Sequence, residues 1–158
     1  MKKLFFSLCL FPFLAIADTK CLVTKIADGD TFSCKDKYHN FIKVRIADID
    51  APEIGQFYGN KAKKALNRLI YRKNVHLTDE RFDKYGRIVA TVYVGNTNVN
   101  LEMIEKGFAW HYDRYSNNIQ YMNAQHKAQQ QKRGLWKDKE IIIKPEDWRH
   151  RYKPSNLE

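Results

Sequence analysis

The chain is predicted to fold as an α+β domain of five strands and three α-helices, and three observations predict it. Short runs rich in β-branched and aromatic residues come first, divided by Asp, Gly and Asn turn chemistry. Residues 62–70 then carry the 3.6-residue apolar period of a helix. Further strand runs and two more helical stretches follow, each closed by a glycine. A length of 158 residues suits one domain with a real core.

The N-terminus reads Lys2-Lys3, an apolar run over 4–14 and then Ala15-Ile16-Ala17. That is the order of a secretory signal peptide, with cleavage expected after Ala17. The run is well short of the roughly 20 residues a spanning helix needs. No stable membrane association is expected after cleavage, and the destination is periplasmic or secreted. Cys9 leaves with the signal, so Cys21 and Cys34 remain as an even pair in an oxidising compartment, and a disulfide between them is expected. Losing Lys2 and Lys3 from 28 basic residues leaves a net charge of +8 against 18 acidic ones. Such an excess favours a polyanion or an anionic membrane surface and steers it over long range.

Residues 21–26 suit a strand, Asp28-Gly29-Asp30 supplies a turn, and Thr31 and Phe32 resume a hairpin that closes near Cys34. Residues 41–49 form a longer strand that runs into Ala51-Pro52. In the first helix Ala62, Ala65, Leu66, Leu69 and Ile70 make the apolar stripe, and Lys61, Lys63, Lys64 and Arg68 lie largely off it as a solvated face. Residues 75–78 read as a short strand, with His76 half exposed and without ligand partners. Asp83-Lys84-Tyr85-Gly86-Arg87 turns the chain into a strand over 88–94. Asn100 is expected to cap a helix that runs to Lys106 and stops at Gly107. A third helix is expected over 119–133, with Tyr121, Ala124 and Ala128 inward and Gly134 as its stop. The mature domain thus spans 18–136, and 137–158 reads as a polar, basic C-terminal tail.

The chemistry concentrates at residues 44–53, where Arg45, Asp48, Asp50 and Glu53 crowd the end of a strand. Hard cations want several oxygens and a phosphodiester wants fixed guanidinium donors. Asp30, the group Arg45, Asp50 and Glu53, and Arg87 each lie at a strand end or turn, and together they can make one site for phosphodiester hydrolysis, the alternative for 44–53 being an edge strand with a solvated charged end. Strict alternation places Arg45 and Asp50 on opposite strand faces, so a bulge or bend is expected between Ile46 and Asp50. In the aromatic stretch 108–115, Phe108 and Trp110 are expected to cover the core, and Tyr112 and Tyr115 to stack on bases.

These motifs, in this order, closely resemble the thermonuclease family of staphylococcal-nuclease-like domains. The matching residues are Asp28-Gly29-Asp30-Thr31, Arg45 with Ile49-Asp50-Ala51-Pro52-Glu53, Asp83-Lys84-Tyr85-Gly86-Arg87, and Gly107-Phe108-Ala109-Trp110. The resemblance covers about residues 22–136. It implies a five-stranded OB-type β-barrel with three α-helices, and a Ca2+-dependent endonuclease acting on DNA and RNA with little sequence preference to leave a 3′-phosphate and a 5′-hydroxyl.

Asp30 and Asp50 then resemble the calcium carboxylates, with the Ala51 backbone carbonyl as a further ligand. Glu53 resembles the residue that holds the attacking water. Arg45 and Arg87 resemble the two phosphate-binding arginines, with Tyr85 against the nucleotide. Departures are Ala51 in place of a threonine, short loops after Tyr38 and Ile54, and tyrosines offset from the stacking positions. A monomer is expected. The competing readings are a catalytically inactive OB-fold module that binds single strands, and a basic protein held on anionic polymers or membrane.

Overall fold

A computed structural model describes residues 18–137 and 142–152, so the signal-peptide reading of residues 1–17 lies outside the described residues. Two-residue side-chain alternation builds β1 (Thr19–Ile26), β2 (Thr31–Asp36), β3 (Phe41–Ile46), β5 (Asn74–Phe82) and β6 (Ile88–Val94). Their order around the sheet is β3-β2-β1-β5-β6, and β3 also pairs with β6, which closes the five strands into a barrel. That closing ladder is parallel, with Val44, Arg45 and Ile46 opposite Ile88, Val89 and Ala90. The inward residues Val23, Phe32, Val44, Ile46, Leu77, Ala90 and Val92 are almost wholly buried. The expected fold class is the observed one.

Three two-residue strands supplement the barrel: β4 (Ile49–Asp50), β7 (Thr97–Asn98) and β8 (Trp110–His111), with β4 and β8 pairing to each other. The helices are α1 (Gly59–Ile70), α2 (Val99–Glu105) and α3 (Ile119–Gln130), with a 3-10 turn at Gly134–Trp136. The stripes are as expected: Ala62, Ala65, Leu66 and Ile70 of α1 are buried, and so are Tyr121, Ala124 and Ala128 of α3. Among the described residues, no helix is long and apolar enough to cross a membrane.

The expected disulfide is present between Cys21 and Cys34, which lie diagonally across β1 and β2, two residues out of direct register. Its 13-residue separation credits it with roughly 3 kcal/mol on the chain-entropy account.

Three expectations are corrected. The strand expected over 41–49 breaks after Ile46, because Asp48 takes a left-handed conformation (φ 62°) and the chain turns before β4 begins. The break falls where a bend was expected, between Ile46 and Asp50. The cap of α2 is Asn98, whose side chain accepts from the Leu101 N–H at 3.0 Å. Asn100 is instead fully buried, accepting from the Val92 N–H at 3.0 Å and donating to the Ala47 carbonyl at 2.8 Å. Tertiary packing, with two orphan backbone groups to satisfy, overrides the local capping signal there. Lastly, the span read as a basic tail carries a fourth helix, α4 (Pro145–Tyr152). A proline at its first position, Glu146 and Asp147 in its first turn and Arg149, His150 and Arg151 in its last complement the helix dipole.

Candidate active site

The β1–β2 turn brings the first carboxylate in. Asp28 Oδ1 accepts from the Asp30 N–H at 3.0 Å, fixing the turn, and the Asp30 carbonyl accepts from the Ile46 N–H at 2.8 Å. Gly29 permits this approach: a Cβ there would lie 2.6 Å from the Ala51 Cβ and 2.8 Å from the Ala62 Cβ. Overpacking of this kind costs about 1–3 kcal/mol. Gly29→Ala is therefore expected to lower the urea midpoint and to move Asp30 off Asp50, and an unchanged midpoint would show that the turn can yield.

The turn at Ala47 and Asp48 swings Asp50 onto the same side as Arg45. Arg45 Nη2 lies 3.2 Å from Asp30 Oδ2 and 3.1 Å from Asp50 Oδ1, so one nitrogen spans both aspartates. Arg45 Nη1 donates to the Ile46 carbonyl at 2.7 Å and the Ile49 carbonyl at 2.9 Å, which ties the guanidinium across the strand break. The Ala51 N–H donates to Asp30 Oδ2 at 2.7 Å, holding the following residue against the first hairpin. Asp30 and Asp50 are only 6% and 2% exposed.

Burial, with Asp30 beside it, pushes the Asp50 carboxyl up to about 6 despite Arg149 and Arg45. Burial and the Asp30 charge likewise push Asp28 up to about 6. Crowded, half-desolvated carboxylates of this kind are hard oxygen donors whose mutual repulsion a shared divalent cation relieves. Among the described residues, no three acidic, His or Cys side chains form a ready-made cage. Asp30 and Asp50 are the side chains whose oxygens could take a cation here, and any further oxygens would have to come from backbone carbonyls or solvent.

Glu53 follows on the same loop, and its N–H donates to Gln56 Oε1 at 3.0 Å. Arg149 of α4 reaches both carboxylates: Nη1 lies 3.0 Å from Asp50 Oδ1 and 2.7 Å from Glu53 Oε1, and Nη2 lies 3.0 Å from Asp50 Oδ2. Burial disfavours its charge, but the bonds to Asp50 and Glu53 outweigh that and hold its proton more firmly than usual. α4 is strapped beside the site. Gln56 Nε2 donates to the Ile143 carbonyl at 2.7 Å, Lys144 pairs with Asp113 at 3.0 Å, and Arg114 pairs with Glu146. Arg149 and Gln56 are the site residues that sequence reasoning missed. The helix signature at Pro145, Glu146 and Asp147 could have found α4, though not its target.

Arg87 stands apart from the carboxylates. Its Nε donates to Asp83 Oδ2 at 2.7 Å, within the turn that joins β5 to β6. It directly precedes Ile88, and the parallel register sets Ile88 and Val89 beside Val44 and Arg45, so Arg87 enters at the end of the strand next to that of Arg45. Tyr85 is 70% exposed in that turn, with Lys84 and Arg87 against its ring at 5.1 and 5.4 Å. Tyr112 is tied to the strand break by its N–H, which donates to the Asp48 carbonyl at 2.9 Å. Burial and the charges of Asp50 and Glu146 push its phenol above the ordinary range, which marks it as a neighbour of the site. Tyr115 packs edge-on against it at 4.8 Å and is 64% exposed. The structure thus brings together Asp30, Arg45, Asp50, Ala51 and Glu53 with Tyr112 nearby, and leaves Tyr85 and Arg87 as an open flank.

The family described as Staphylococcal nuclease homologue matches residues 43–138. Asp30 and Arg149 lie outside that span and join the site through the fold. The chain is 47% identical over 133 residues to a Haemophilus influenzae protein named "Uncharacterized endonuclease", covering 84% of this chain and 74% of that one. It is 38% identical over 136 residues to an Escherichia coli protein of the same name, covering 85% and 88% respectively. To a Shigella flexneri protein named "Micrococcal nuclease" it is 37% identical over 153 residues, covering 90% and 86%.

Proposed function

The chain belongs to the family of staphylococcal nuclease homologues, and from that premise we propose that it is an exported, Ca2+-dependent endonuclease that hydrolyses DNA and RNA with little sequence preference, leaving 3′-phosphate ends. One observation carries the reading: a single nitrogen of Arg45 spans Asp30 and Asp50, two buried aspartates from separate segments, with Glu53 three residues on. Burying unlike and like charges together costs folding free energy, and such clusters concentrate at functional sites.

Asp30, Asp50 and the Ala51 carbonyl would hold the cation, which when bound supplies Lewis-acid polarisation of the phosphate and charge neutralisation. Arg45 and Arg87 donate to the phosphate oxygens and stabilise the charge that grows on them in the transition state. The Glu53 carboxylate orients the attacking water and accepts its proton. Tyr85 lies against the nucleotide, and Tyr112 and Tyr115 offer faces to adjoining bases. Stacking of that sort is tolerant of sequence and worth about 1–3 kcal/mol per base. The excess of Lys and Arg draws the polyanion in. Export is supported by the Cys21–Cys34 disulfide and by the N-terminal run of the sequence.

The reading is tested by incubating the purified mature protein with single-stranded DNA and calcium, and in parallel with a chelator. Cleavage only with calcium is expected. The second reading is a silent binding module, favoured by the fact that Arg149 already neutralises Asp50 and Glu53. A salt-sensitive gel shift without cleavage would establish it instead.

A pH dependence follows from Asp50. A proton on this carboxyl removes the charge a cation needs, so cation affinity is expected to hold above about pH 6 and to fall below it, where the proton competes. Below that point the loss is about tenfold per pH unit. Calcium titrations at fixed ionic strength across pH 5 to 8 check it, and a flat affinity over that window would remove Asp50 from the cation site.

A further inference from the structure

Arg149 occupies the site in a way that neither the family match nor the reading above assigns. Its fork covers both oxygens of Asp50 and one of Glu53, and Asp50 Oδ1 accepts from Arg45 as well. Each Asp50 oxygen is therefore engaged by a guanidinium, at the carboxylate on which a cation would depend. A planar fork binding a carboxylate bidentately is a strong, directional contact. The Asp50 end of the pair is shielded, with its side chain only 3% exposed, while the Arg149 side chain is 34% exposed and open to solvent on its outer side.

The remaining straps of α4 do not run through Asp50. Gln56 joins the loop at Glu53 to the Ile143 carbonyl, Lys144 holds Asp113, and Trp148 shares a cleft with Pro52, Phe57 and Trp110. The backbone of α4 can thus stay docked while the Arg149 side chain, on its long flexible stem, gives up Asp50. Three carboxylates, Asp30, Asp50 and Glu53, face two guanidinium groups, Arg45 and Arg149, so removing Arg149 leaves the cluster strongly anionic.

We propose that Arg149 is the resident counter-ion of the cation site. Its fork holds Asp50 and Glu53 in position in the cation-free protein, and a divalent cation that takes Asp50 displaces the fork from it while the bond to Glu53 remains. Arg149 is then a positioning residue for Glu53 that also sets the cation concentration at which the site loads. The inference rests on the cation-dependent reading of the site. Competition of this kind is reciprocal: what the cation takes from Arg149, Arg149 takes from the cation.

The test is calorimetric titration of calcium into the full mature protein without nucleic acid, so that it is independent of any cleavage assay. Arg149→Ala is expected to bind calcium about tenfold or more tighter than the unsubstituted protein, within the usual span of coupling between competing ligands. Arg149→Lys, which keeps the charge but loses the fork, should fall between the two. Lys144→Ala removes a charge beside the same helix without touching Asp50 and should leave the affinity within about threefold. Tighter binding in the alanine and lysine variants alone supports the exchange. Unchanged or weaker binding in Arg149→Ala, equal tightening in Lys144→Ala, or no calcium uptake by any of these proteins would overturn it. Failure of the nuclease reading would show separately, as intact single-stranded DNA in the calcium incubation.

Discussion

Replacing Arg87 with alanine is expected to lower turnover by about 10²–10³ while leaving stability close to that of the unsubstituted protein. The rate loss is that of removing one fixed donor aimed at developing charge. The small stability effect follows from its surroundings. Its side-chain partner is Asp83, four residues back in the same turn, and such partly exposed pairs contribute under about 1 kcal/mol. Separate kcat and KM values on single-stranded DNA check the expectation, with a urea curve for each protein. The drop should lie mainly in kcat, because the donor acts on charge that grows in the transition state. Turnover that survives the substitution would remove Arg87 from the mechanism.

Arg45→Ala should fail on both counts. This guanidinium serves two carbonyls, of Ile46 and Ile49, and two carboxylates, of Asp30 and Asp50, and its side chain is only 13% exposed. Removing it leaves two buried aspartates without their shared cation and reopens the turn at Ala47 and Asp48. Breaking a buried pair in this way costs about 3–5 kcal/mol. A large fall in the urea midpoint together with loss of cleavage is expected. Lysine should recover little, since one ammonium cannot reach four acceptors placed around a planar fork. A melting midpoint within error of the original would mean that the strand break is held by other bonds, among them the Asn100–Ala47 contact.

The barrel was legible because its strands obey a period of two. Val44 and Ile46 are fully buried and Arg45 between them only partly, as alternation requires, and the same parity argument located the break before Asp50. Asp48 itself carries no such signal: a left-handed aspartate is one of several ways to turn the chain. The two asparagines before α2 show the limit of local chemistry. Asn98 and Asn100 are equally good caps on paper, and the choice between them depends on Val92 and Ala47, which only the closed barrel brings near. Arg149 was hidden for the same reason on a larger scale. It meets Asp50 across 99 residues and Glu53 across 96, and its own segment reads as polar tail. Pairings at that separation leave no periodicity in a sequence.

The parallel ladder between β3 and β6 has a consequence for heat inactivation. It joins Val44, Arg45 and Ile46 to Ile88, Val89 and Ala90, and it is the one pairing that turns an open sheet into a barrel. Arg45 sits within it, opposite Val89, and Arg87 immediately before it, so the relative placement of the two arginines depends on that seam. Parallel pairing is slightly the weaker kind per residue. A warmed molecule whose seam parts would keep its disulfide-bound first hairpin and much of its helix, yet lose its grip on a phosphate. Cleavage rate would then serve as a gauge of one short ladder, failing before circular dichroism records the loss of the rest.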